Sequence, residues 1–146
     1  YQDTDSMHIH SDQVEPLAEK YKELYGNELI GKGMGQFHTD FDSKICKGEL
    51  NSIKSIFLGK KCYIDVLEGD NKGVYDYHIR MKGVSSDSIK HYAHKHNMNI
   101  YDVYKKLYDG EEITFDLCCG GRKISFDYKN NMTIKTLDLF ERRIKF

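Results

Sequence analysis

The spacing of apolar residues changes period several times along the chain, and each change marks an element. Residues 1–10 read as a hairpin: an extended lead-in, a polar turn at Asp3 to Ser6, then a return through Met7 to His10. Val14, Leu17, Ala18, Tyr21, Leu24 and Tyr25 follow at i, i+3, i+4 and i+7, the period of an amphipathic helix. Ser11 or Asp12 can cap it, Pro16 falls in its first turn where the missing N–H is harmless, and Gly26 can close it. The texture then turns strand-like. Ile53, Ile56, Phe57 and Leu58 lead to a basic turn, Gly59-Lys60-Lys61, and a second run holds Cys62, Tyr63, Ile64, Val66 and Leu67. After a turn at Asp70-Asn71-Lys72-Gly73, a third run carries Val74, Tyr75, Tyr77, Ile79 and Met81. Short turns between such runs predict antiparallel strands.

From Val84 the helical period returns. Ser85 or Ser86 caps a short helix with Ile89, Tyr92, Ala93 and His96 on one face, and a second helix carries Ile100, Val103, Tyr104 and Leu107 up to Gly110. Gly120-Gly121 then reads as a two-residue hairpin loop. Pairing about it sets Leu117 against Ile124, Phe115 against Phe126 and Ile113 against Tyr128 on one face. The other face pairs Thr114 with Asp127, Asp116 with Ser125 and Cys118 with Lys123, nearly all polar. The predicted fold class is α+β: antiparallel strands with a packed helix, followed by a part built of two short helices and a β-hairpin.

A chain of 146 residues suits one domain or two small lobes with a core of their own. No apolar run approaches the length of a membrane span, and no secretory leader opens the chain. The first residue is Tyr1 rather than Met, so the sequence reads as a piece of something longer. Charge is uneven. Acids outnumber bases 10 to 5 in residues 1–50, whereas bases outnumber acids 17 to 13 in residues 51–146. That asymmetry suits cations at one end and a polyanion at the other. Cys46, Cys62, Cys118 and Cys119 form no CxxC pair, so they read as reduced, buried thiols in an intracellular, reducing compartment. His8 and His10 alternate on one strand face and His91 and His94 lie at helical spacing, but neither pair has a third ligand at fixed spacing, so packing or surface roles are the better reading. Gly31, Gly33 and Gly35 lack the spacing and the Lys-Ser/Thr of a phosphate-binding loop.

The chemistry is concentrated in Tyr1-Gln2-Asp3-Thr4-Asp5-Ser6. Two aspartates at i, i+2 around a tight turn bring like charges together, an arrangement that a bound cation relieves. An EF-hand is excluded, because its sixth position would be His8 rather than Gly and its twelfth Val14 rather than Glu. A plain polar turn and a phosphoryl-transfer metal site both remain open on these residues alone.

The ordered set of motifs resembles family B DNA polymerases. Tyr-x-Asp-Thr-Asp-Ser is the pattern of their motif C. Lys60-Lys61-Cys62-Tyr63 looks like their Lys-x-Tyr motif, Gly35-Gln36-Phe37-His38-Thr39-Asp40 resembles the segment after the motif C hairpin, and Lys82-Gly83-Val84 resembles the end of the palm. The compact spacing is most similar to the protein-primed subgroup of viruses, phages and linear plasmids. The resemblance covers residues 1–84 and implies a palm segment there, with residues 85–146 as thumb, although no thumb motif matches.

The resemblance further implies template-directed transfer of deoxynucleotides to a primer 3′-hydroxyl by two Mg²⁺ ions, or Mn²⁺ in their place. Asp5 would bind the metals and Asp3 support them. Tyr1 would lie near the primer end and the incoming nucleotide, and Lys61 and Tyr63 would contact the primer strand. The implied partners are primer–template DNA, dNTP and a terminal-protein primer, with no membrane. The family's second metal aspartate (motif A), its nucleotide-binding helix (motif B) and any proofreading exonuclease all lie N-terminal to motif C and have no counterpart here. The alternative expectation is a non-catalytic nucleic-acid-binding module derived from a degenerate palm.

Overall fold

The computed structural model describes residues 1–119, 121–129 and 132–146. It has the expected α+β class, with helices beside small antiparallel sheets. The chain divides into two compact units. One comprises residues 1–51 and 67–76, the other residues 52–66 and 77–146.

In the first unit, β1 (Gln2–Asp3) and β2 (Ser6–Met7) form the antiparallel hairpin predicted from the opening residues. A single 3-10 turn (Ser11–Gln13) leads into α1 (Val14–Tyr25), which Gly26 closes in the left-handed conformation, its N–H bonded to the Lys22 carbonyl. Two expectations need correction. The α1 N-cap is Gln13, with no side-chain cap, because the 3-10 turn takes up Ser11 and Asp12. The helix is also not packed into a core. None of its residues is buried; Val14, Ala18 and Tyr21 are half-covered, and Leu17, Leu24 and Tyr25 are exposed. Periodicity fixes which face is apolar, but the first unit brings too few apolar partners to cover it.

The turn predicted at Asp70 to Gly73 also anchors the segment around residues 43–48. The Asp70 N–H donates to the Lys47 carbonyl, the Asn71 side chain bonds the Lys47 N–H and the Ile45 carbonyl, and Ser43 donates to Asp76. The buried Cys46 thiol donates to the Val74 carbonyl at 3.3 Å. The glycine-rich loop closes on its own side chain. Gln36 Oε1 accepts the Gly33 N–H at 2.8 Å and Gln36 Nε2 donates to the Glu28 carbonyl at 3.2 Å. A Cβ on Gly31 would stand 2.3 Å from Gln36 Oε1, so the bare glycine makes room for this amide.

The three-stranded sheet runs in the order β3 (Asn51–Gly59), β4 (Cys62–Glu68), β5 (Tyr75–Met81), as the three strand-like runs predicted. Its central strand is buried from Cys62 through Asp65. In the second unit, Cys62, Ile64, Ile79 and Met81 meet α2 (Ser86–Lys95) and α3 (Ile100–Tyr108) through Ile89, Ala93, Val103, Tyr104 and Leu107. Ser85 caps α2 by accepting the Ser88 N–H, and Asn99 caps α3 by accepting the Asp102 N–H. The Tyr104 hydroxyl donates to the Arg80 carbonyl at 2.8 Å, which satisfies the polar end of a fully buried ring.

The predicted pairing about Gly120-Gly121 is not formed, and Gly120 itself lies outside the described residues. Strand β6 (Ile113–Asp116) pairs with β9 (Glu141–Ile144), setting Ile113 against Ile144 and Phe115 against Arg142. Strand β7 (Lys123–Asp127) pairs with β8 (Thr133–Leu137), setting Phe126 against Ile134. A hairpin therefore exists, but between strands other than those expected. The physical cause lies just after β6. Asp116 Oδ1 accepts the Cys118 N–H at 2.7 Å, Cys119 turns left-handed at φ 52°, and the Gly121 N–H bonds the Cys118 carbonyl. The chain bends away there, and the Leu117 N–H continues the ladder to the Phe140 carbonyl instead.

Candidate functional site

The opening hairpin is short and tight. Asp3 is paired with Ser6, and only Thr4 and Asp5 form the turn between them. The His8 N–H donates to the Tyr1 carbonyl at 2.7 Å, which extends the ladder beyond the two pairs. The Thr4 hydroxyl donates to Asp3 Oδ1 at 3.3 Å. Asp3 is half-buried at the strand end and Asp5 is exposed at the tip. The His8 ring stands edge-on to Tyr1 (5.6 Å between centroids) and to Phe41 (6.2 Å), a packing arrangement.

This arrangement offers two carboxylates at the end of a short two-strand element. Carboxylate oxygen is the donor type that Mg²⁺ prefers, and the ion completes its shell with water and phosphate oxygens. Among the described residues there is no group of three or more His, Cys, Asp or Glu side chains able to hold a metal. Asp3 and Asp5, two carboxylates on one hairpin, do not make such a group by themselves.

The Lys-x-Tyr candidates sit in the second unit. Lys60 and Lys61 make the turn between β3 and β4, with Lys61 left-handed at φ 58° and exposed. The Lys82 N–H donates to the Lys61 carbonyl at 3.0 Å, fastening this turn to the chain leaving β5. Tyr63 is only 8% exposed, so its aromatic face is already occupied. Its ring lies 5.9 Å from Phe57 and is stacked on His78 at 5.9 Å with 19° between planes. Packing fixes this side chain in place. The structure thus places Tyr1, Asp3 and Asp5 together on one hairpin, and Lys61 and Tyr63 at one end of β4.

Sequence reasoning passed over Asp65. It is fully buried in the middle of β4 and shares its strand face with Tyr63 by the two-residue period. The hydroxyls of Ser55 and Ser52 donate to its Oδ1 at 2.6 and 3.1 Å, and the two hydroxyls lie 2.9 Å apart. The available signal was a single acid within the run Cys62-Tyr63-Ile64-Asp65-Val66-Leu67, flanked upstream by Ser52 and Ser55.

Cys62 is not a reactive thiol. Burial pushes the Cys62 thiol up to about 11, which keeps it protonated and weakly nucleophilic at neutral pH. Cys46 and Cys62 are buried as expected, whereas Cys118 and Cys119 are half-buried and lie beyond the end of β6 rather than on a strand. His91 Nε2 is 4.0 Å from Asp116, and His10 and His94 are exposed. No helix among the described residues is long and apolar enough to cross a membrane. No family model, curated protein or solved structure matches the chain.

Proposed function

We propose that the chain is the C-terminal palm segment and thumb of a DNA-directed DNA polymerase of family B, most similar to its protein-primed subgroup. The observation that carries this reading is the hairpin tip, which presents Asp3 and Asp5 within one tight two-strand turn, with Tyr1 opposite His8 at its base. The resemblance of Tyr1 to Ser6 to motif C names that geometry as a metal-binding hairpin.

Asp5, exposed at the tip, would hold the Mg²⁺ ions, and Asp3, steadied by the Thr4 hydroxyl, would support them. Bound Mg²⁺ supplies Lewis acidity to the attacked phosphate and lowers the pKa of the primer 3′-hydroxyl. Tyr1 would flank the primer end and the incoming nucleotide. Lys61 would attract the primer backbone as a point charge, and Tyr63, packed against Phe57 and His78, would contact the primer strand. The partners are primer–template DNA, dNTP and, for the protein-primed subgroup, a terminal-protein primer. Four thiols without a disulfide suit an intracellular, reducing compartment.

The test is Asp5→Asn in a longer chain that includes the family's motif A aspartate. Primer extension at saturating Mg²⁺ is expected to disappear, while gel-shift binding of primer–template stays near wild type. Extension within about tenfold of wild type would sink the catalytic assignment and favour the non-catalytic nucleic-acid-binding module.

A further inference from the structure

The β7–β8 hairpin of the second unit is turned inside out. Its register sets Ile124 against Thr136 and Phe126 against Ile134, so these four side chains share one face. Alternation puts Lys123, Ser125, Asp127, Lys135 and Leu137 on the other. Tyr128 extends the apolar row, its ring 6.3 Å from that of Phe126. In an antiparallel sheet with one covered side, the apolar face is the one that packs on a core. Here the reverse holds. Ser125, Asp127 and Leu137 on the mixed face are half-covered, whereas Ile124, Phe126, Tyr128 and Ile134 stand 60%, 55%, 73% and 65% exposed. The mixed face is also the one tied back to the chain, with Lys123 Nζ 4.5 Å over the ring of Phe140, just before β9. The four exposed apolar side chains together present on the order of 500 Å², near the top of what a monomer leaves open.

We propose that this face is an interface with a second copy of the chain, the two hairpins packing face to face about a two-fold axis. Two such faces bury on the order of 1,000 Å² between them, the size at which an interface becomes specific. An isologous contact sets the patch against itself, so the charges on it decide whether it can form. Among the described strand residues none of the apolar face is charged. Lys123, Lys135 and Asp127 project from the opposite side, where Lys135 and Asp127 pair at 3.0 Å, so two copies meet without opposing like charges. A polyanion, by contrast, needs cations that this face does not present. A two-stranded sheet is marginal in water by itself, and a second hairpin laid on its apolar side supplies the missing layer. The contact is independent of the polymerase reading, since neither Asp3 and Asp5 nor Lys61 and Tyr63 take part in it.

The experiment is sedimentation equilibrium of residues 1–146 over about 1–100 μM. A monomer–dimer equilibrium is expected within that range. Phe126→Asp is expected to weaken it by about thirtyfold or more, as for a central aromatic of an interface. The position is exposed in the single chain, and far-UV circular dichroism checks that the fold is kept. A second pair of variants reads the geometry. On mild oxidation Thr136→Cys, on the apolar face, is expected to join two chains through position 136, and Thr133→Cys, on the mixed face, is not. Peptide mapping identifies the linked position. A wild-type chain that stays monomeric at about 100 μM would overturn the second copy as occupant. Dimerisation unchanged by Phe126→Asp, or cross-linking through position 133 in preference to 136, would overturn the face. Co-sedimentation of a monomeric chain with phosphatidylcholine–phosphatidylserine vesicles would assign the face to a lipid surface and overturn the proposal in that way.

Discussion

Asp65 shows what a single residue demands of its surroundings. A carboxyl group with no solvent contact loses its hydration, and hydrogen bonds must replace it. Ser55 and Ser52 supply two, from hydroxyl oxygens 2.9 Å apart. Ser55→Ala removes the 2.6 Å donor and leaves the buried carboxyl group less satisfied. The expected loss is about 1–3 kcal/mol in urea unfolding. A loss below about 0.5 kcal/mol, the range of an ordinary surface change, would show that the bond is dispensable. Asp65 was hidden in the sequence because strand alternation tolerates one polar position on a face, and nothing local tells which face of a central strand is covered. The candidate metal residues were the opposite case. Asp3 and Asp5 announce their turn by residue type alone, and the structure puts a turn there.

At the scale of elements, the instructive case is the pairing of β6. The alternation of Ile113, Phe115 and Leu117 states correctly that one face is apolar, and Ile113 and Phe115 are buried. It cannot state the partner, because any strand of matching alternation satisfies it. The nearby turn signal Gly120-Gly121 favoured β7, yet β9 is the partner, and Thr114 meets Arg143, 29 residues further along. Cysteine cross-linking separates the two arrangements. Thr114→Cys/Arg143→Cys joins residues paired in the β6–β9 ladder and is expected to form a disulfide on mild oxidation. Thr114→Cys/Asp127→Cys follows the pairing suggested by the Gly-Gly loop and is expected not to. Peptide mapping by mass spectrometry reads both, and a bridge in the second variant alone would reverse the assignment. The helices, by contrast, were legible apart from the N-caps of α1 and α3, Gln13 and Asn99. Ser85 caps α2, and Gly26 and Gly110 take up left-handed backbone after α1 and α3, because these signals act within a few residues of the sites they control.

At the scale of the whole molecule, the core around β4, β5, α2 and α3 shapes the response to pH. Burial raises the Cys62 thiol from 9.0 to about 11 and also raises the Tyr104 phenol, both within one apolar cluster. Below about pH 9 folded and unfolded chains alike keep the Cys62 proton, and the thiol adds no pH dependence. Between about 9 and 11 the unfolded chain releases it while the folded chain keeps it, so stability falls as pH rises. The expected fall from Cys62 is of order 2 kcal/mol by pH 11. Chemical denaturation across that window checks it. Cys62→Ala is expected to be less stable at neutral pH and to lose part of the alkaline slope; an unchanged slope would remove Cys62 as its source.

The sequence by itself determined the elements whose signals are local. The opening hairpin, the three strands around Lys60-Lys61 and Asp70 to Gly73, and the three helices all follow from turn residues, caps and apolar period, which act over one to seven residues. It also determined the pair of carboxylates at the hairpin tip, because residue type and turn position suffice to place them. Tertiary structure alone decided the rest. It chose β9 over β7 as the partner of β6, left the α1 stripe uncovered, buried Asp65 and turned the apolar face of the β7–β8 hairpin outward. The physical reason is common to all four. Period encodes which side of an element is apolar, but burial, strand partnership and the choice of covered face depend on which segments compete for the same surface, and that competition is settled only when the whole chain packs.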